Sequence, residues 1–166
     1  MKNVIFIHGL ESSGQGFKGQ LFKKTIPGCL TPDFEPFNPS ISYRDLLTKR
    51  MLQLESILNK KNKWIIIGSS FGGLMAALYC CNFPEKVSRL ILLAPLLAVP
   101  ELDPKDFEKI KVPVIIFHGR NDSIVSLKAQ KARAEKIFKN LTYNIVEDDH
   151  MLHSTVVKLK WRKLIK

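Results

Sequence analysis

The sequence predicts a three-layer α/β/α sandwich built on a mostly parallel sheet of about six strands. Two observations carry that expectation. Short apolar runs rich in β-branched residues (Val4-Ile5-Phe6-Ile7, Trp64-Ile65-Ile66-Ile67, Val87 to Ala94, Val114-Ile115-Ile116-Phe117) alternate with helical segments along the chain. The runs are continuous rather than alternating apolar with polar, so both faces of each strand are buried, as in a parallel sheet covered on both sides. No internal repeat, low-complexity tract or boundary interrupts the pattern, which predicts one domain over residues 1–166.

Asn3 to Ile7 reads as the first strand, ending in His8-Gly9-Leu10 and a polar, glycine-rich loop over residues 11–16. Phe17 to Thr25 reads as a helix stopped by Pro27-Gly28, and Cys29 to Thr31 as a very short second strand. Pro32, Pro36 and Pro39 keep the next stretch irregular. Ser42-Tyr43-Arg44-Asp45 is a capping box, and Leu46, Leu47, Met51, Leu54, Ile57 and Leu58 form the apolar stripe of the helix it opens. The strand at Trp64 is followed by a turn and a second, apolar helix from Gly73. After the strand at Val87 comes a short connection, Leu96 to Pro113, with a helical turn expected around 103–110. The strand at Val114 leads into His118-Gly119-Arg120-Asn121-Asp122, then a helix over Ser126 to Phe138, a last strand over Thr142 to Val146, and one C-terminal helix over Met151 to Ile165.

Composition bounds the partners. With 45% hydrophobic and 25% charged residues in 166, the chain reads as an ordinary soluble globular protein. No apolar run reaches transmembrane length, and the N-terminal run is too short for a signal peptide. Three cysteines without regular spacing argue against a disulfide framework and against zinc, which makes a reducing cytoplasm the expected location. The formal charge of +11 is spread along the chain, and its C-terminal part rides on a helix with apolar positions. That reads as a solvated basic surface, with no specific nucleic-acid partner.

The chemistry centres on Gly68-Ser69-Ser70-Phe71-Gly72, a G-x-S-x-G motif between a strand and a helix. A serine at so sharp a turn is held strained with its hydroxyl exposed, and the N–H of Phe71 lies at a helix N-terminus, where an oxyanion is favoured. Without that context the motif is only a glycine-rich turn. A serine needs a base, and the base needs an orienting acid. Of the four histidines, His8 and His118 each end a strand before a glycine and read as structural. His150, after the last strand, is the expected base, with His153, one helical turn on, as the alternative. Asp122, just beyond the strand at Val114, is the expected acid; otherwise it is an Asn-Asp turn residue. Asp148 and Asp149 read as turn or helix-start charges. His150, His153 and these acids lack a third placed metal ligand, and the glycines at 14 and 16 do not make a phosphate loop, so neither a metal nor a cofactor is expected.

In this order, His8-Gly9-Leu10, the Ser70 motif, His118 to Val125 and Asp149-His150 resemble the α/β-hydrolase superfamily, in particular its small, lid-less serine esterase-like members. The resemblance implies Ser70 as nucleophile, His150 as general base and acid, Asp122 as its orienter, and the backbone N–H groups of Leu10 and Phe71 as the oxyanion hole. It implies hydrolysis of a small-molecule carboxylic ester or thioester without a cofactor. Amide hydrolysis, acyl transfer by the same residues, or a hydrolase-like fold binding an anionic partner are the alternatives. Two departures stand out: the usual N-terminal antiparallel hairpin is missing, which predicts a smaller sheet, and the connection over 96–113 is too short for a lid domain.

Overall fold

In β1 (Val4–Ile7), successive side chains point to opposite faces. Ile5 and Ile7 enter one apolar cluster, Val4 and Phe6 a second one across the sheet. The same division recurs in β2 (Trp64–Ser69), where Trp64 and Ile66 face one way and Ile65 and Ile67 the other. The computed structural model describes residues 2–166. With β3 (Val87–Leu93), β4 (Val114–Gly119) and β5 (Leu141–Val146) these strands form one five-stranded sheet, every pair parallel, in the order β1-β2-β3-β4-β5. Helices α2 (Tyr43–Leu58), α3 (Phe71–Asn82) and α4 (Leu127–Ile137) supply one cluster through Leu54, Leu74 and Ile137. Helices α1 (Phe17–Thr25), α5 (His153–Lys158) and α6 (Trp161–Leu164) supply the other through Phe22, Val156 and Trp161. The expected α/β/α sandwich is therefore present, with its core in two apolar layers.

The sheet has five strands where about six were expected. The segment around Cys29 to Thr31 pairs with β1 only as an isolated bridge between Ile5 and Leu30, through Leu30 N–H to Val4 O (2.9 Å) and Phe6 N–H to Leu30 O (2.8 Å). Pro32 follows almost at once and has no N–H to continue a ladder. The single C-terminal helix expected over Met151 to Ile165 is two short helices, broken at Leu159-Lys160. The break lets the Trp161 indole turn inward, where its Nε1–H donates to Val156 O at 2.8 Å and its ring meets Phe22 edge-on at 4.6 Å.

The remaining boundaries follow local chemistry. Ser42 Oγ accepts the Asp45 N–H at the start of α2, and Ser126 Oγ accepts the Ala129 N–H at the start of α4. The connection from β3 to β4 holds only two 3₁₀ turns, Pro100–Leu102 and Pro104–Asp106. It is tied to α4: Gln130 Oε1 accepts the N–H groups of Leu97 and Ala98, and the Arg133 guanidinium donates to the carbonyls of Leu97, Val99 and Leu102. Among the described residues, no helix is long and apolar enough to cross a membrane.

The helix after β2 lies hard against the end of β1. A Cβ on Gly72 would stand 2.2 Å from Ile7 O and 2.6 Å from His8 O. Helix propensity alone favours alanine over glycine by about 1 kcal/mol, but the carbonyl clash sets the sign. Gly72→Ala is expected to cost about 1–3 kcal/mol as an overpacked site and to lower the melting temperature by about 2–4 °C per kcal/mol. A melting curve equal to or above that of the parent would contradict this contact.

Candidate active site

Ser70 occupies the turn between β2 and α3 with φ 54° and ψ −114°, a conformation that costs a non-glycine residue energy and persists only when its surroundings enforce it. The surroundings do so. Ser70 N–H donates to Leu93 O at 3.0 Å, and Ser70 O accepts from the N–H groups of Gly73, Leu74 and Leu96. The small neighbours are needed, because a Cβ on Gly68 would meet Gly72 O at 2.6 Å.

Two loops bring the other groups to it. Beyond β4 and β5 the chains stay zipped, with Arg120 N–H donating to Val146 O and Asn121 N–H to Asp148 O. A Cβ on Gly119 would lie 2.4 Å from Asp148 O, so only glycine admits this approach. Asp148 closes the next helix by accepting the Thr155 N–H and hydroxyl, each at 2.8 Å, while Asp149 Oδ1 accepts the Met151 N–H at 2.9 Å. Both acids are thus turn and helix-start groups, as the sequence suggests. Leu152, at φ 54°, redirects the chain just after His150.

The result is a continuous relay. His150 Nε2 lies 3.0 Å from Ser70 Oγ, and His150 Nδ1 lies 2.7 Å from Asp122 Oδ2. The side chain of Asp122 is fully buried, and its Oδ1 accepts the N–H groups of Ile124 and Val125 at 2.9 and 3.0 Å. Burial works against its charged form, but the hydrogen bonds from Val125, His150 and Ile124 outweigh burial and hold the carboxyl below the usual aspartate range. An ionised Asp122 only accepts, so Nδ1 of His150 carries the proton and Nε2 is free to accept the Ser70 hydroxyl proton. His153, the alternative base, packs its ring at a tilt against Phe17, 4.2 Å between centroids, and sits on an exposed position of α5.

The two histidines read as structural are both buried. His8 Nε2 accepts the Phe34 N–H at 3.0 Å, so its Nδ1 holds the proton and donates to Gly9 O at 2.8 Å. His118 does more than shape a loop. Its Nε2 donates to Asp122 Oδ2 at 3.0 Å, and its Nδ1 accepts the Tyr143 hydroxyl at 2.6 Å. One carboxylate oxygen therefore accepts hydrogen bonds from two imidazoles. The sequence carries the signal for this contact: β4 runs on through His118 and Gly119, and residues 118 and 122 are close along the chain. Arg50 is a second residue the sequence reading passes over. It is fully buried on α2, at the 46/50/54 spacing of that helix's apolar stripe, where a charged side chain demands an explanation.

Ser70, Phe71, Leu10 and His150 line a cavity of about 660 Å³. Its wall is mainly apolar, and Phe17 (49% exposed), Ile124 (71%) and Met151 (49%) stand bare among its lining residues. Lys18 also lines it; burial pushes its pKa down to about 8 against the pull of Asp149 and Asp148. The N–H groups of Leu10 and Phe71 donate to no protein acceptor among the described residues. A hydroxyl on a bare imidazole, a buried acid behind it and open amides beside it can move a proton and receive developing negative charge.

Burial lowers the pKa of His118, against the attraction and hydrogen bond of Asp122, and burial likewise lowers that of His8. Both rings are neutral in the fold, while in the unfolded chain they take protons near the ordinary value of 6.5. Their contribution to stability is thus present above about pH 6.5 and is lost as pH falls below it towards their folded values. Melting temperatures measured from pH 7.5 down to 5 should fall, and His118→Gln, which keeps a donor for Asp122 but cannot protonate, should fall less steeply. Parallel curves would remove His118 as a source of acid sensitivity.

Comparison with known proteins agrees with this architecture. A family description of the alpha/beta hydrolase fold matches residues 2–111. The structure is similar to that of alpha/beta hydrolase domain-containing protein 10 from mouse, with a TM-score of 0.77 at 18% identity over 98% of this chain and 89% of that one. It is similar as well to Est1E from Butyrivibrio proteoclasticus, solved with ferulic acid, with a TM-score of 0.75 at 17% identity over 100% and 90% of the two chains. At these identities the likeness is one of fold. A human protein named serine hydrolase-like protein is 46% identical over 44 residues, which make up 26% of this chain and only 22% of that protein's length.

Proposed function

We propose, given that the chain belongs to the α/β-hydrolase fold family, that it is a serine hydrolase that cleaves a carboxylic ester or thioester through an acyl-enzyme on Ser70. The observation that carries this reading is the unbroken relay from Ser70 Oγ through His150 to Asp122, at 3.0 and 2.7 Å. The strained turn under Ser70, the open amides of Leu10 and Phe71 and the mostly apolar cavity support it. So does the name of the human relative, within the short stretch it shares.

In this mechanism Ser70 Oγ attacks the carbonyl carbon while its proton passes to His150 Nε2. The carbonyl oxygen becomes an oxyanion facing the amides of Leu10 and Phe71. Asp122 stabilises the imidazolium without taking its proton. The intermediate collapses, the C–O or C–S bond breaks, and the leaving alcohol or thiol takes the proton from His150. Water then repeats the sequence on the acyl-enzyme and releases the acid and free Ser70. No metal or cofactor takes part. The bare apolar rim of Phe17, Ile124 and Met151 favours an apolar acyl group.

The reading is tested at Ser70. Alanine fits the turn's packing, so Ser70→Ala should stay folded while hydrolysis of p-nitrophenyl esters falls by on the order of 10³-fold or more. The parent protein should be labelled by a fluorophosphonate and the variant should not. A parent that ignores the probe, or a pure variant with near-normal turnover, would refute the assignment.

The two downstream histidines separate cleanly. His150→Ala should lose activity to a similar degree, because members of such a relay act as a unit. His153→Ala, which removes a ring packed against Phe17 and no proton carrier, should keep most of its turnover. Steady-state kinetics on both variants checks this, and the reverse result would overturn the assignment of the base.

A further inference from the structure

Arg50 is a fully buried cation with no carboxylate within ion-pair distance among the described residues. Burial pushes its pKa down to about 10, against the pull of Glu35, so it remains charged at neutral pH. Leaving such a group without a counter-charge is costly unless its donors are well used. Three of its five N–H donors are used on backbone carbonyls: Nε donates to Glu35 O at 2.8 Å, Nη1 to Gly9 O at 3.1 Å and Nη2 to Leu10 O at 2.8 Å. The guanidinium carbon also lies 5.4 Å from the centre of the Phe71 ring. One side chain thus touches both Leu10 and Phe71, the residues whose amides are the expected oxyanion donors.

The geometry of the peptide unit gives this contact a consequence. In a trans peptide, the N–H points opposite to the carbonyl of the same plane. Gly9 O is held on one side by Arg50 and by His8 Nδ1–H, so the Leu10 N–H is turned to the other side. Gly9 itself lies against the elbow, since a Cβ built on it would stand 3.6 Å from Ser69 O and 3.7 Å from Ser70 Cβ. A charged donor on a carbonyl also polarises its peptide and strengthens the N–H at the other end.

We propose that Arg50 is a positioning residue for the oxyanion hole: its guanidinium fixes the direction of the Leu10 N–H through Gly9 O and Leu10 O, and steadies Phe71 through its ring. The proposal rests on the reading of Ser70 as a nucleophile. Arg50 touches no substrate; it acts through the amides.

The test compares the parent with Arg50→Met and Arg50→Lys, using a p-nitrophenyl ester and a trifluoromethyl ketone, which adds to the serine and forms a stable oxyanion. Misdirecting one donor by about an ångström is expected to lower kcat by about 100-fold in Arg50→Met, with KM nearly unchanged. Affinity for the ketone should fall in parallel with kcat/KM. Arg50→Lys, which keeps the charge but not the fork, should lie between. Added guanidinium at millimolar concentration should restore part of the activity of Arg50→Gly. A role confined to stability would lower the melting temperature and leave kcat and ketone affinity of the folded fraction unchanged, and that result would overturn the proposal. Should the variants fail to fold, the parent protein still decides. Ketone binding should shift the Leu10 amide and Arg50 side-chain resonances together, and Arg50 resonances that stay fixed while Leu10 moves would also overturn it. A parent that neither hydrolyses esters nor reacts with a fluorophosphonate would instead refute the serine-hydrolase reading itself.

Discussion

The absence of a side chain at Gly72 lets the first turn of α3 press against the carbonyls of Ile7 and His8, and much of the site's geometry depends on that contact. With the helix seated there, the chain leaving β2 must reverse within a single residue, which puts Ser70 at positive φ. The same contact places the His8-Gly9-Leu10 loop beside Ser70 and Phe71, so groups from two strands share one small volume. The strain at Ser70 is about 1–3 kcal/mol for a residue of this kind, and it is offset where its amide and carbonyl are fully bonded to Leu93, Gly73, Leu74 and Leu96.

A second seam, between the ends of β4 and β5, builds the other half. Gly119 lies against the carbonyls of Asp148 and Asp149, and the backbone bonds from Arg120 and Asn121 extend the strand pairing past the sheet edge. Asp122 and His150 are carried on the two sides of this seam, which is why residues far apart in sequence meet at 2.7 Å. Asp122 sits where an unsatisfied carboxylate would be strongly disfavoured. Each of its oxygens is bonded, Oδ1 by two amides and Oδ2 by two imidazoles, and these bonds favour its ionised form against the cost of burial.

The parts of this arrangement that were legible in the sequence are those with a local signature. The elbow declares itself because glycines at 68 and 72 flank a serine between an apolar strand and an apolar helix. Asp122 and His150 are marked by their positions just beyond the carboxyl ends of two neighbouring strands. The sixth strand failed on a local detail, the missing N–H of Pro32, and the long C-terminal helix gives way at Leu159-Lys160 to two short ones, with Trp161 turned into the core against Phe22. His118 and Arg50 were harder, because their partners are set by tertiary packing. The trace each left was a polar residue where the pattern required an apolar one: Arg50 on the stripe of α2, and His118 at the end of a buried strand.

The buried polar side chains cluster for a physical reason. A parallel sheet satisfies its own backbone, but the loops at its carboxyl end leave the ladder while still inside the protein, and every buried carbonyl and amide there needs a partner. His8 and Arg50 serve the carbonyls of Gly9, Leu10 and Glu35 and the amide of Phe34; Gln130 serves the amides of Leu97 and Ala98 beside the cavity wall. These groups add little net stability each, about 1 kcal/mol for an ordinary hydrogen bond, although removing one would leave its buried partner unpaired. What they add is direction. The carbonyls of Gly9 and Leu10 are tied to the interior while the Leu10 amide meets no protein acceptor among the described residues, and the first turn of α3 leaves the Phe71 amide without an intrahelical partner by construction. The donors left open beside Ser70 are therefore a consequence of how thoroughly the neighbouring groups are paired.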